Sequence, residues 1–549
     1  MTDQLDRTTP VQIPAPAASR SVRDAALDVF RRFGMTTLFG NPGSTEIPLL
    51  GGLPADLRFV LGLHEGSVVG IATGYALATG APALVNLHTA PGLGNAVNAI
   101  ANARDMRAPL VVMVGQQDRR HVAAAPFLTG HGLERLAGDY PVWATQPARA
   151  QDVPGAIARA WHEARTRRGP ALVVVPMGDW QQAADDAVAA GAPARLLEAT
   201  GIDGAAAGEM AALIDGAQAP VLVVGAGADS TAGWAGVVAL AERLRCPVWQ
   251  ESFCGAAGFP QDHGLFAGHL HWSRQRRREA LAGHDLVIVV GSSAFRYYLY
   301  DAGPPVEPGT VLAVITDDPA EAHRSPVSLA LLGSPAGACT ALAGLLEQRG
   351  GKLPPPRAPL PPPPLPAAGE PLLPAHVFSE LAARLDADGV IVEETPSSQP
   401  ELYRRLPVRA PHGFYSAPNG GLGFGLAGTI GLRMGNPRRP VVGLVGDGAS
   451  LYTIQSLWTA AHYGVGALLV VMANGGYRVM DGLAAADGSA PTWPSFEEVS
   501  VSGLARSLGC PAVRVETHAQ LTDTLDGVIG GLRERREPLV LEVAVGRPR

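Results

Sequence analysis

Short, unbroken apolar runs alternate along this chain with longer stretches whose apolar residues recur every three to four positions. PALVNLH (82–88), PLVVMVG (109–115) and PALVVVP (170–176) form one group of runs. PVLVVGAG (220–227), DLVIVVGSS (285–293) and TVLAVIT (310–316) form a second, and GVIVEE (389–394), PVVGLVGDG (440–448), ALLVVMAN (467–474) and PLVLEVAV (538–545) a third. Runs apolar on both faces are the signature of parallel strands covered by helices on each side. The intervening stretches have helical period. SRSVRDAALDVFRRFG (19–34) predicts an amphipathic helix with Ser21 as N-cap, Asp24 complementing the helix dipole and Gly34 ending it. The pattern predicts an α/β protein of three doubly wound parallel-sheet domains.

The punctuation between groups sets the boundaries. Residues 1–19 have no apolar periodicity and are expected to be a disordered extension. A polar, Ala/Gly-rich stretch near 185–205 closes a first domain over 20–185, and a second covers 200–345. Residues 350–371 form a linker in which ten prolines fall within 354–371, a composition that favours stiff polyproline II. A third domain covers 372–549. The first and third also resemble each other. EGSVVGIATGYALATGAPALVNLHTAPG (65–92) and GGLGFGLAGTIGLRMGNPRRPVVGLVGDG (420–448) share a Gly/Ala-rich helix, a Gly-x-Pro turn, a strand and a polar strand end. In that alignment His88 falls where Asp447 falls, so related domains meeting through small-residue helices would face their strand ends across one cleft, where open α/β sheets bind ligands.

Two polar strand ends carry the candidate chemistry. Asp447 closes one buried strand and Asn474 closes the next, each beside glycines. A carboxylate there is costly unless it is paired or holds a cation. Gly446 and Gly448 let the backbone approach a ligand, and the turn into Ala449 and Ser450 offers N–H groups to phosphate. Asn474 and a carbonyl at Gly476 complete an oxygen-only donor set suited to Mg²⁺ on a diphosphate. Gly446-Asp447-Gly448 followed by Asn474 resembles the motif of thiamine-diphosphate-dependent enzymes, with Ala473 where the first of two asparagines is usual.

The likeness runs from about residue 21 to the C-terminus, through LFGNPGSTEIP, HEGSVVGIATGYA, NLHTAPGLGNA, FRYYLYDAG, NGGLGFGLAGTIG and LWTAAHY. It is to the decarboxylases of this family and, within them, to the benzoylformate decarboxylase group. The resemblance implies pyrimidine-binding, middle Rossmann-like and diphosphate-binding domains. It implies thiamine diphosphate held through Mg²⁺ by Asp447, Asn474 and the Gly476 carbonyl. It places Gly420, Leu422, Gly446, Gly448, Ala449, Ser397 and Tyr477 against the cofactor, with Glu65 beside the aminopyrimidine. Ser44 would bind the substrate carboxylate and His88 would transfer protons. Tyr298 stands where the family has a second histidine; a phenol with a reference pKa near 10 is a weak proton shuttle at neutral pH. Arg296, two residues earlier, would share its face in a strand. Pro396, Ser416, Val479, Met480 and Leu483 fall on the family's aromatic pocket, with Ser416 in place of an aromatic residue.

Composition narrows the partners. Net charge is −7 with acids and bases interspersed, which offers no basic stripe to nucleic acid. Four scattered cysteines fit a reducing cytoplasm, and the absence of an 18-residue apolar run argues against a membrane span. VGAGADS (224–230) lacks GxGxxG and reads as a strand–helix turn, not a NAD site. The expected activity is non-oxidative decarboxylation of an apolar or benzoylformate-like 2-oxo acid to an aldehyde and CO₂. The alternative is a carboligase or C–C lyase making or cleaving 2-hydroxyketones. The family likeness implies at least a homodimer, with a homotetramer expected.

Overall fold

The structure, a computed structural model, describes residues 20–185, 194, 196–358, 360–367 and 369–546. The expected extension over 1–19, and 186–193 with 195 in the first boundary stretch, lie outside the described residues. Three six-stranded parallel sheets account for the apolar runs. The first contains β1 (Thr37–Gly40), β2 (Arg58–Leu61), β3 (Ala83–Leu87), β4 (Leu110–Gln116), β5 (Trp143–Thr145) and β6 (Pro170–Pro176), in the order 2-1-3-4-6-5. The second contains β7 (Pro220–Val224), β8 (Val248–Gln250), β9 (Phe266–His269), β10 (Leu286–Val290), β11 (Val311–Thr316) and β12 (Leu329–Leu332), in the order 12-11-10-7-8-9. The third contains β13 (Val390–Glu394), β14 (Phe414–Ser416), β15 (Val441–Gly446), β16 (Leu468–Ala473), β17 (Ala512–Val515) and β18 (Leu539–Ala544), in the order 14-13-15-16-18-17.

Counted from its own first strand, the third sheet has the same order as the first, 2-1-3-4-6-5. His88 follows β3 and Asp447 follows β15, the third strand of each. The internal likeness read in the sequence therefore extends to topology. The middle sheet is wound in the Rossmann order instead, with β7 and β10 adjacent at its switch point. Its glycines are consumed by packing: a Cβ on Gly225 would lie 2.4 Å from Ser292 Cβ, and one on Gly227 2.9 Å from Gly291 Cα. Loop meets loop there, as a strand–helix turn requires.

The two related sheets join through their Gly/Ala-rich helices, Glu65–Thr79 and Phe424–Gly435. A Cβ on Gly74 would stand 2.2 Å from the Gly428 carbonyl oxygen, and one on Gly431 1.9 Å from that of Ile71. Only glycine permits so close an approach of helix backbones. Val69, Ala72 and Ala76 share one buried apolar cluster with Ala427 and Ile430, so the core is continuous across this seam. Asn98 and Asn102, on the Thr89–Asp105 helix, donate to the Leu422 and Gly421 carbonyls at 2.8 and 2.9 Å, which fixes the loop before the second helix.

The first helix is as its sequence predicts. Ser21 caps Val22–Arg32 in a reciprocal capping box with Asp24, and Gly34 takes φ +70° just past the end. The Pro-rich linker lies against the third domain. His376 accepts from Leu373 N–H through Nδ1, so its Nε2–H donates to the Pro364 carbonyl at 2.8 Å, and Arg405 donates to the Pro361 carbonyl at 3.0 Å. Among the described residues, no helix is long and apolar enough to cross a membrane, and the four cysteines are free and buried.

Candidate active site

β15 and β16 are hydrogen-bonded neighbours, with Gly446 opposite Met472, so their ends deliver Asp447 and Asn474 side by side. Asp447 is 6% exposed. Its Oδ2 accepts the N–H groups of Asn474 and Gly475 at 2.9 and 2.7 Å, and among the described residues its Oδ1 accepts only Gly448 N–H, at 2.9 Å. One lone pair of Oδ1 is left over. Burial raises the Asp447 pKa, against the pull of these three bonds, and a cation at Oδ1 would oppose that shift. The Asn474 side-chain oxygen accepts Gly476 N–H at 3.2 Å, and φ +68° at Gly475 makes the turn. A Cβ on Gly446 would meet no atom closer than 3.8 Å, so packing alone does not demand glycine there, whereas Gly448 abuts Tyr477 and Phe496. Among the described residues no three His, Cys, Asp or Glu side chains converge as a metal cluster. A cation here would rest on one carboxylate, one amide and a carbonyl, a hard donor set that fits Mg²⁺ with diphosphate.

These groups form one end of a cavity of about 1010 Å³. Gly446, Gly448, Ala449, Gly476 and Tyr477 line it around Asp447 and Asn474. Gly420, at φ +74°, and Leu422 line it from the loop pinned by Asn98 and Asn102. Ser397 lines it as well, and its Oγ accepts Val479 N–H at 3.1 Å. The five residues aligned with the family's substrate pocket, Pro396, Ser416, Val479, Met480 and Leu483, all line the same cavity. Tyr298 reaches it from the middle domain. It is 53% exposed, and its ring meets Phe253 and Trp272 edge-on at 5.9 and 5.7 Å. The strand geometry expected for Arg296 is not found: the segment has no strand, and the guanidinium donates to the Pro418 carbonyl at 3.1 Å.

Glu65, His88 and Ser44 form a second cluster, outside that cavity in the single chain. Within one copy, Glu65, His88 and Ser44 are not among the residues that line the cavity with Asp447. Glu65 opens its helix, with His64 as N-cap, and is 7% exposed; Asn41 and Asn95 each donate to one of its oxygens, at 2.9 and 3.0 Å. Gly92 lies between Glu65 and His88, since its Cβ would be 3.5 Å from Glu65 Cγ and 3.4 Å from His88 Cβ. Ser44 is exposed at the start of a short 3₁₀ turn.

Three carboxylates were missed by the sequence reading. Glu46, 1% exposed, sits 2.9 Å from His88 Nδ1 and accepts Gly43 N–H at 2.8 Å and the Thr45 hydroxyl at 2.5 Å. An ionised carboxylate only accepts, so His88 turns its Nδ1–H to Glu46 and leaves Nε2 free. Gly43 and Gly115 make room, because a Cβ on the first would strike the His88 ring and on the second Glu46 Oε1. Glu394 caps the Phe424–Gly435 helix by accepting from Gly423, Phe424 and Gly425 N–H, and burial pushes its pKa up to about 8. Glu393, 2% exposed, is among the residues that line the cavity. The signal for each was an acid next to or within an apolar or turn segment, which a helix-start acid mimics.

Comparison with known proteins places the arrangement. The N-terminal, central and C-terminal domain models of thiamine pyrophosphate enzymes match residues 20–139, 207–342 and 397–543. A benzoylformate decarboxylase of Pseudomonas aeruginosa is 36% identical over 534 residues, 95% of this chain and 98% of that protein. Among solved structures, a Rhodococcus jostii RHA1 thiamine diphosphate-dependent 4-hydroxybenzoylformate decarboxylase superposes with a TM-score of 0.91 at 32% identity, covering 96% of this chain and 99% of the other. The benzoylformate decarboxylase of Polynucleobacter necessarius gives 0.90 at 31% identity, covering 96% and 100%. Matched in all three domains and along nearly its whole length, this chain belongs to the thiamine pyrophosphate enzyme family.

Proposed function

We propose that this protein releases CO₂ from a 2-oxo acid and delivers the corresponding aldehyde, at sites completed by a second copy of the chain. Asp447 carries the reading: a buried carboxylate, saturated by backbone N–H groups except for one lone pair of Oδ1, at the floor of a large cavity. Asp447, Asn474 and the Gly476 carbonyl would hold Mg²⁺, and Gly446, Gly448 and Ala449 the diphosphate. When bound, thiamine diphosphate supplies the electron sink that lets a carboxylate leave as CO₂. Glu65 is not among the residues lining the cavity of its own chain, and the family likeness implies that the Glu65 meeting the aminopyrimidine is the second copy's, together with its His88 and Ser44. Ser44 orients the substrate carboxylate through its exposed hydroxyl. His88, pinned at Nδ1, moves a proton at Nε2.

The deciding experiment supplies thiamine diphosphate, Mg²⁺ and a panel of 2-oxo acids, and measures CO₂ and all organic products. Aldehyde formation is expected from apolar members, together with a cofactor-dependent rise in melting temperature that Asp447→Ala abolishes. Absence of both would sink the reading. A carboligase is favoured by one observation, the phenol of Tyr298 in place of a proton-cycling imidazole. Tyr298→His should then raise aldehyde yield and lower 2-hydroxyketone yield from the same donor; an unchanged ratio removes this position from proton delivery.

A further inference from the structure

Glu393 ends β13 directly before the helix cap Glu394, yet its carboxylate does a different job. It is almost inaccessible, and donors surround it on every side. Oε1 accepts Thr395 N–H at 2.7 Å and the Thr395 hydroxyl at 3.2 Å. Oε2 accepts Gln399 Nε2 at 3.0 Å and the Ser416 hydroxyl at 2.8 Å. Four donors fill the four lone pairs of an ionised carboxylate. The group has no capacity left for a substrate or a metal, so it acts through its neighbours.

Those neighbours line the cavity. Ser416 has a single proton and spends it on Glu393, which leaves only lone pairs to face the ligand. Gln399 must turn its nitrogen to an acceptor-only carboxylate, so its side-chain oxygen is the end left over. Among the described residues, no other hydrogen bond engages Ser416 Oγ or the Gln399 side-chain oxygen. At Ser416 and Gln399 the lining thus presents acceptors, backed by the buried Glu393 carboxylate. Leu422, Val479, Met480 and Leu483 add apolar surface to the same cavity. A ligand site of this kind takes an apolar body and fixes it through a few placed polar groups.

We propose that the substrate carries a hydrogen-bond donor, a hydroxyl or amino group, on its apolar body remote from the 2-oxo acid, and that Ser416 and Gln399 receive it while Glu393 holds them in the accepting orientation. The inference rests on the decarboxylase reading. It makes Ser416 and Gln399 specificity-determining residues and Glu393 a positioning residue. A hydroxyl or amine gains a partner here, whereas an ether oxygen of the same size meets lone pairs. An unsubstituted ring leaves both acceptors unpaired, which is what lets a hydrogen-bonding site reject analogues.

The test uses the holoenzyme with benzoylformate and its 4-hydroxy, 3-hydroxy, 4-amino and 4-methoxy derivatives. The better of the hydroxy and amino compounds should exceed both the methoxy and the unsubstituted compound by at least about 10-fold in kcat/KM, the size expected of one directed hydrogen bond. Ser416→Ala should remove most of that preference through the KM of the donor-bearing substrate. Glu393→Gln frees the serine proton and should shift preference toward the methoxy compound, which loss of structure alone would not do. Equal turnover of donor-bearing and donor-free substrates overturns the inference and leaves the decarboxylase reading intact. If no compound yields CO₂, the decarboxylase reading fails. The wall is then judged by calorimetric binding of 4-hydroxymandelate against mandelate and 4-methoxymandelate: tighter binding of the first upholds the acceptor wall, and equal affinities overturn it.

Discussion

At the scale of single residues, the site depends on which atom each side chain leaves free. His88 shows this most directly. Glu46 takes its Nδ1–H, and Glu46 is itself held by Gly43 N–H and the Thr45 hydroxyl. Glu46→Gln keeps the volume but offers His88 an amide that can present its nitrogen, so the imidazole is no longer fixed in one tautomer. We expect kcat to fall by about 10- to 100-fold, within or below the ~10²–10⁴-fold typical of losing an acid–base group outright. KM and the cofactor-bound melting temperature should stay near their original values, and steady-state kinetics beside a thermal melt will check both. Asp447 and Asn474 were legible because glycines and buried strands surround them, so a polar residue there has no cheap structural reason; Glu65, an acid at a helix start, was reached only through the family resemblance. Glu46 was not legible. It follows Ser44-Thr45 in a turn, where an acid is ordinary, and its partner lies 42 positions along the chain.

At the scale of elements, the central strands were readable and the edges were not. All the continuous apolar runs became interior strands, since burial on both faces demands them. β5, β8, β9, β12, β14 and β17 have three or four residues each and lie at or next to sheet edges, where mixed exposure erases the pattern. Helix caps hide in the same way: Glu394 sits 29 positions before the first N–H it accepts from. Its raised pKa has a consequence. An unfolded glutamate titrates near ~4.3, so between that pH and about 8 the native state holds a proton the unfolded chain has released. Stability contributed by this group therefore falls as pH rises through that window and levels off above it. Apo-protein melts from pH 5 to 9 should show the decline, and Glu394→Gln should flatten it at a cost of about 1 kcal/mol for the lost Gly425 bond. The helix seam gives a second test. Gly431→Ala forces a methyl against the Ile71 carbonyl and should cost at least about 1–3 kcal/mol in urea unfolding. Gly208→Ala, in the open on the Gly204–Gly216 helix, should be neutral or stabilising by about 0.5–1 kcal/mol.

At the scale of the whole molecule, Asp447 lines a large cavity while Glu65, His88 and Ser44 gather outside it; on the proposed function these are two parts of a site that one chain does not join. Glu65 is not among the residues that line the cavity with Asp447, and the helices joining their domains pack backbone against backbone at Gly74 and Gly431. Chains carrying Glu65→Ala and chains carrying Asp447→Ala should each be inactive alone. After equal mixing and full subunit exchange, about a quarter of the sites should regain activity, because half of the pairs are mixed and in each mixed pair one site receives both defects and the other neither. Verified mixed dimers without any activity would show that each site draws on one chain only. The seam also sets where this lineage is free to vary. Backbone touches backbone at Gly74 and Gly431, and no residue is smaller than glycine, so those positions are frozen for any descendant that keeps the fold. The half-exposed wall of Ser416, Val479, Met480 and Leu483 carries no such constraint. On the proposed function, substitutions in that lining would change the substrate, while the joint between the domains would have to stay as it is.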